Sequence, residues 1–445
     1  MPEDPRHTDR PSVAHLSAPL DLRNGRRLPN RLMKSALSES LGAPDCGPSP
    51  ELERLYRRWA QGGYGLVVTG NVMVDRRHRG EPGNVVIEDD RHIEGLKRWA
   101  AAFQGALPDA SENAPENAPD SPAPADRTPL WMQINHPGRQ ANALVGKHRP
   151  VAPSAVAARV AGAVKPRELS DTGIREIIDR YATAAALARS AGFDGVQLHG
   201  AHGYLITQFL SPLSNRRTDA WGGDPERRRR FVLEVLRATR AATAPDFAIG
   251  IKLNSADFQR GGFSEEESQE VVGALVAEGI DLIEISGGSY EAPAMMGVMR
   301  PSTAAREAYF LEYAATVRKL AGDVPIAVTG GFRTVSAMDE AVAAGECDVI
   351  GLGRPTCVLP DAPRRILHAG AHSLPSANIR AGMRPLLGRV TNLRQLDGIL
   401  DLSWHTDQLH RIGAGHHPDP ARSVLRTATA MALRNGPTAF RAKRG

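Results

Sequence analysis

The sequence predicts a closed (β/α)8 barrel, and three observations carry that prediction. Eight short apolar segments recur along the chain, most of them are followed by an amphipathic helical pattern, and glycines recur just past the helix ends. The strands are expected at Arg31–Ala36, Gly65–Thr69, Leu130–Ile134, Gly195–His199, Ala248–Leu253, Leu282–Ser286, Ile326–Thr329 and Val349–Leu352. They are mostly continuous apolar runs rather than alternating ones, as parallel strands covered on both faces require. The expected helices are Glu51–Gln61, Arg91–Phe103, Ile174–Ser190, Pro225–Ala241, Glu265–Glu278, Tyr309–Leu320 and Val335–Ala344. Ser264 and Asp171 read as N-caps, and Gly192, Gly279 and Gly345 as the residues that end helices.

Three regions lie outside the repeat. Asn24-Gly25, between short extended stretches, reads as a β-hairpin closing the barrel floor. Residues 109–128 are rich in Ala, Pro, Ser, Asn and acidic residues, too polar to bury a core, and are expected to be a disordered insertion on the face away from the site. Residues 371–445 read as a helical, arginine-rich extension placed to wrap the barrel or to join an interface between copies. Residues 1–17 read as a flexible N-terminus, which leaves 18–370 for the barrel.

Composition narrows the class of protein. Hydrophobic residues make up 41% and charged residues 24%, the balance of a soluble globular enzyme. The net charge of +5 is small for 445 residues and spread along the chain, so it gives little support to nucleic-acid binding. The densest run, Arg227 to Arg230, falls in an expected helix whose face is explained as well by ion pairs as by phosphate. Three cysteines without C-x-x-C spacing cannot make a four-thiolate cluster. The first thirty residues lack an apolar signal region, and no stretch approaches the roughly 20 apolar residues of a membrane span. The expected setting is the reduced cytoplasm.

In such a barrel the reacting groups gather where the strands end. The seventh and eighth ends carry Gly330-Gly331 and Gly353-Arg354, a backbone able to approach a phosphate beside an arginine able to pair with it; tight βα turns alone would also explain the glycines. The fourth end is the richest, with His199 and His202 three apart and Tyr204 following. Imidazoles there would hold a carbonyl or nitro oxygen, and the phenol would supply a proton. A zinc site would need a third ligand that the spacing does not show, and histidines that only tie loops remain open. Lys252 at the fifth end suits a ring that becomes anionic, or a buried ion pair. Gln133 suits an amide edge, or a tie between loops.

The run His199-Gly200-Ala201-His202-Gly203-Tyr204-Leu205, continued through Gln208 and Asn215-Arg216-Arg217 to Trp221-Gly222-Gly223, resembles the signature of the Old Yellow Enzyme family of NADH:flavin oxidoreductases. Leu66-Val67-Val68-Thr69-Gly70, Gln133-Ile134-Asn135-His136-Pro137 and Asn254-Ser255-Ala256-Asp257-Phe258 agree with it in order and approximate spacing, and the likeness runs over roughly residues 18–370. The resemblance implies FMN across the barrel mouth, with Ala36, Ser38 and Gly70 beside the ring and Gln133 and Lys252 at its pyrimidine edge. Gly330, Gly331, Gly353 and Arg354 would hold the phosphate. His199 and His202 would grip the activating oxygen of an electron-poor alkene, and Tyr204 would protonate it. NADH or NADPH would supply hydride to the flavin, which passes it to the alkene. Two positions depart from the family. Ser38 stands where threonine or cysteine is usual, and Lys252 where arginine is, which keeps the charge and loses the planar fork. Flavin barrels acting on tRNA would need a catalytic cysteine and an RNA-binding helical domain, and the histidine–tyrosine motif does not belong to them.

Overall fold

The computed structural model describes residues 11–107, 127–159, 163–287, 310–375 and 393–435. The strands, in chain order, are β1 (Leu20–Asp21), β2 (Arg27–Leu28), β3 (Leu32–Lys34), β4 (Leu66–Val68), β5 (Val72–Met73), β6 (Leu130–Asn135), β7 (Val151–Ala152), β8 (Arg167–Glu168), β9 (Gly195–Gly200), β10 (Ala248–Asn254), β11 (Leu282–Ser286), β12 (Ile326–Thr329) and β13 (Val349–Leu352). Eight of them, β3, β4, β6 and β9 to β13, pair in parallel and in chain order, and β4 pairs with β6 after β13 has returned to β3. The ring is therefore closed. β5 adds to the edge of β6 in the loop after β4.

Each expected barrel strand is present, and its side chains alternate between two cores. Ile249, Ile251 and Leu253 of β10, with their counterparts on the other strands, pack outward against the helices. Ala248 points inward with Met33, Leu66, Val68, Trp131, Leu282, Ala327 and Val349 to fill the lower barrel. The β1–β2 hairpin turns at Gly25, with φ of 80°, and adds Leu22 and Leu28 to that inner core. The hairpin thus closes the floor.

The outer helices form where the amphipathic pattern puts them, including Pro225–Ala241 and Glu265–Ala277. Ser264 makes a full capping box with Glu267. The cap of the Asp171–Ser190 helix corrects the sequence reading: it is Ser170, whose hydroxyl accepts from the Gly173 amide, while Asp171 opens the first turn. Asp171 instead accepts from the Trp221 indole at 2.7 Å. Gly192, Gly279 and Gly345 end their helices at φ of 92°, 78° and 67°. All four arginines of the 227–230 run have acidic partners: Asp224, Glu267, Glu270 and Glu234.

Two expected boundaries need adjusting. Within the N-terminal segment read as flexible, Ala14–Ser17 is a helical turn; Leu16 is buried, and the His15 and Leu16 amides both donate to Asp339. At the far edge of the expected insertion, Thr128 donates to the Tyr64 carbonyl and Arg127 pairs with Asp194; the rest of that segment lies outside the described residues. In the C-terminal extension, Leu393–Gly413 and Val424–Asn435 are helical. The first of these packs on the Pro50–Ala60 helix, and Arg54 donates to the Gly413 carbonyl. No helix among the described residues is long and apolar enough to cross a membrane.

Candidate active site

Above the apolar layer the inward positions turn polar, and the strand register brings them together. Gln133 and Gln197 are opposite each other on β6 and β9, and Lys252 and Glu284 on β10 and β11. The Gln133 amide donates to Gln197 at 2.7 Å, and Gln197 donates to Glu284 at 2.7 Å. Glu284 also accepts from Thr329 at 2.5 Å and pairs with the Lys252 ammonium at 2.9 Å; Thr329 in turn meets Ser35 at 2.7 Å. All but Thr329 are buried. An ion pair in this setting holds only because each carboxylate oxygen has partners. Gln197, Glu284, Thr329 and Ser35 were not singled out from sequence. Their signal was a polar residue set inside an otherwise apolar run, as in Val196-Gln197-Leu198 and Ile283-Glu284-Ile285.

At the end of β9, His199 sits opposite Lys252. Its ring lies 5.2 Å from that of His202 and 4.7 Å from that of Tyr204, both edge-on. The three residues of the motif are therefore one cluster. Burial, then the neighbouring His202 and Lys252 charges, hold the His199 ring well below the usual histidine range. Burial and Lys252 bring His202 down to about 3. Both imidazoles are neutral at pH 7. The Ala201 amide donates to His199 Nδ1 at 3.3 Å, so the ring proton is carried on Nε2. His202 Nε2 meets the Ser286 hydroxyl at 2.8 Å.

The backbone of this turn is held at both sides. His202 has φ of 61°, a left-handed conformation that a residue with a Cβ rarely adopts. Its N–H donates to Asn254 Oδ1 at 3.1 Å and its carbonyl accepts from Gln140 at 2.9 Å. Gly203 follows at φ of 79°, and Tyr204, buried, stands at the N-cap of Leu205–Leu210. The loop after β6 is zipped to the same turn. The Leu205 amide donates to the His136 carbonyl, and Gln208 donates to the carbonyls of Pro137 and Gly203. A Cβ on Gly138 would meet the Gln208 amide at 2.2 Å, so the close approach requires glycine there. Most of the remaining signature is scaffold: Asn215 donates to the carbonyls of Phe209 and Trp221, and Arg217 to those of Pro153 and Leu169.

The other predicted residues occupy the same rim. Ala36 packs at the top of the inner core, and Ser38 lies 3.5 Å from Asn71. The Gly70 amide donates to Glu39 at 2.9 Å, and a Cβ on Gly70 would overlap the Glu39 carboxylate at 1.8 Å. Gly330 and Gly331 have φ of 117° and 93°, and side chains are disfavoured there. Gly353 has room for a Cβ, its nearest neighbour being Leu37 at 3.7 Å. Arg354, half-buried, pairs with Asp401 of the C-terminal extension at 2.8 Å. The extension thus reaches the expected phosphate corner. Phe332, just after β12, is buried, whereas Ser289, Tyr290 and Glu291, after β11, lie outside the described residues.

A second histidine cluster lies behind the rim. Asp75 accepts from His78 at 3.1 Å and from Arg77 at 2.8 Å, and lies 4.0 Å from His136 Nε2. The Arg77 fork fills the carboxylate that a metal would need, so the group reads as an ionic lock on the His136 loop. Although burial opposes it, hydrogen bonds from His78 and Arg77 hold the Asp75 carboxyl far below its usual range.

A closed parallel barrel with its polar groups gathered where the strands end has the architecture of a barrel enzyme. A family model for NADH:flavin oxidoreductase / NADH oxidase matches residues 125–372. The chain is 35% identical over 419 residues to an NADH-dependent flavin oxidoreductase of Hypocrea jecorina, covering 89% of this chain and 98% of that one. Among solved structures it resembles a 2-naphthoyl-CoA reductase in complex with 2-naphthoyl-CoA (TM-score 0.72, 25% identity, 80% of this chain and 53% of that one). It also shares its fold with morphinone reductase (TM-score 0.63, 24% identity, 82% and 92% covered). The chain belongs to the NADH:flavin oxidoreductase / NADH oxidase family. It is a flavin oxidoreductase, with FMN as cofactor and an NADH-type reductant. The residues present fit that cofactor: a buried ammonium and buried glutamine amides line the polar upper layer of the barrel mouth.

Proposed function

We propose that this chain reduces the C=C bond of an electron-poor alkene, an α,β-unsaturated carbonyl or nitro compound, at the expense of NADH or NADPH. The observation that carries this reading is the cluster of two neutral imidazoles and a phenol at one strand end, next to a buried lysine. When bound, FMN would supply the redox chemistry, the passage of hydride from nicotinamide to substrate. Ala36, Ser38 and Gly70 would flank its ring, with Gln133 and Lys252 at the pyrimidine edge. Gly330, Gly331, Gly353 and Arg354 would hold its phosphate, with Arg354 exchanging Asp401 for, or sharing it with, the phosphate oxygens.

The protein's own work is orientation and proton supply. His199, with its proton on Nε2, donates to the substrate oxygen and draws electron density from the double bond. His202 does the same after giving up Ser286. A neutral imidazole donates without the desolvation cost of a charged one, which suits a site that also holds Lys252. Tyr204 delivers the proton to the α-carbon. The solved relative bound to 2-naphthoyl-CoA, a conjugated carbonyl compound, supports a substrate of this electronic type.

The test is anaerobic and uses two half-reactions. The purified protein should be yellow, should bleach with NADH or NADPH, and should regain colour when an enone such as cyclohexenone is added. Bleaching without faster recovery on enones or nitroalkenes would leave a flavin oxidoreductase and remove the ene-reductase reading.

A further inference from the structure

Lys252 does not act alone. Lys252 is only 3% exposed, and its ammonium is paired at 2.9 Å with Glu284, a residue with no exposure at all. Glu284 accepts from Gln197 on its other oxygen and from Thr329 on the oxygen that faces Lys252, and these contacts hold it in place. Both residues point into the barrel from neighbouring strands at matched register, and Gln197 links the carboxylate to Gln133. A lysine is a flexible point charge without the fork that lets arginine lock itself in place. Here the counter-charge supplies the lock, and it also offsets the positive charge that a flavin ring above would feel.

We propose that Glu284 is a positioning residue that aims the Lys252 ammonium at the flavin and tempers its charge, keeping the reduction potential of the bound FMN lower than lysine alone would set it. The inference rests on the placement of FMN over Lys252 given above. Reduction adds negative charge to the ring's pyrimidine edge, so an unbalanced ammonium would favour the reduced form. With the carboxylate 2.9 Å from the ammonium, the ring sees a dipole in place of a full charge. The same dipole weakens any anion that adds charge to the oxidised ring, and sulfite is one such probe.

The experiment uses the FMN-loaded full chain and reads sulfite affinity and reduction potential, neither of which depends on turnover. Glu284→Gln should tighten sulfite binding about tenfold and raise the two-electron potential by the equivalent of about 30 mV. Glu284→Asp, which keeps the charge, should return both toward wild type. Removing one member of a buried pair can unfold a protein, whereas removing both is often tolerated. The double variant Lys252→Met with Glu284→Gln therefore keeps the question open to test if the single variant fails to fold. A potential close to wild type in the double variant supports the pair acting as a unit. A fall as large as that of Lys252→Met alone, or unchanged sulfite binding in Glu284→Gln, would overturn the proposal. Failure of the wild-type chain to bind FMN would instead strike the placement of the cofactor over Lys252 on which it rests.

Discussion

The barrel interior has two layers, and they hold the same eight strands together by different means. The lower one, Met33, Leu66, Val68, Trp131, Ala248, Leu282, Ala327 and Val349, is dry and closed from below by Leu22 and Leu28. The upper one, Ser35, Gln133, Gln197, Lys252, Glu284 and Thr329, is a polar chain in which each group needs its neighbour. Burying apolar area is favourable in itself, whereas burying polar groups only breaks even when every partner is present. The difference teaches where the protein stores stability and where it spends it: the floor holds the barrel, and the rim holds a site.

The largest expected effects separate the layers. Trp131→Ala would empty the middle of the lower layer, where the ring abuts Gly195 and Gly250, and should cost about 3–5 kcal/mol in denaturant unfolding. A loss below about 1 kcal/mol would mean the floor is not the load-carrying layer. Tyr204→Phe should leave unfolding and flavin reduction near wild type and slow alkene-dependent reoxidation by about 100-fold or more. Equal slowing of both half-reactions would take Tyr204 out of the proton-donor role.

A pH series sharpens the comparison further. His199 and His136 are buried and His202 is half-buried, and all three ring pKa values are lowered in the fold, those of His202 and His136 to about 3. The unfolded chain binds protons near 6.5, so their contribution to stability is complete above that value. It should be lost progressively as pH falls from about 6.5 toward 3. Thermal unfolding scans should show that decline, and His202→Asn should flatten it; an equal slope in the variant would remove His202 from the groups that cause it. The smallest effect belongs to the outer surface. Arg229→Ala breaks an exposed pair with Glu270 and should change stability by no more than about 0.5 kcal/mol.

Much of this was legible in the chain. The apolar strand runs announced β6 and β9 to within a residue, and the histidine–tyrosine spacing picked out a cluster whose rings do meet. Two capping signals compete within one residue of each other at Ser170 and Asp171, since both types cap helices and only the backbone angle chooses. The sequence reading passed over Gln197 and Glu284, because a single polar residue inside an apolar strand has no local partner to give it meaning.

What the sequence by itself determined is the barrel and the flavin oxidoreductase family, since periodicity and motif spacing are local properties of the chain. The tertiary structure decided which residues are partners. Lys252 and Glu284 are 2.9 Å apart only because β10 and β11 pair in one register. Arg354 meets Asp401 only because the C-terminal extension returns to the rim. Electrostatic roles are set by distance and burial in space, and separation along the chain carries neither.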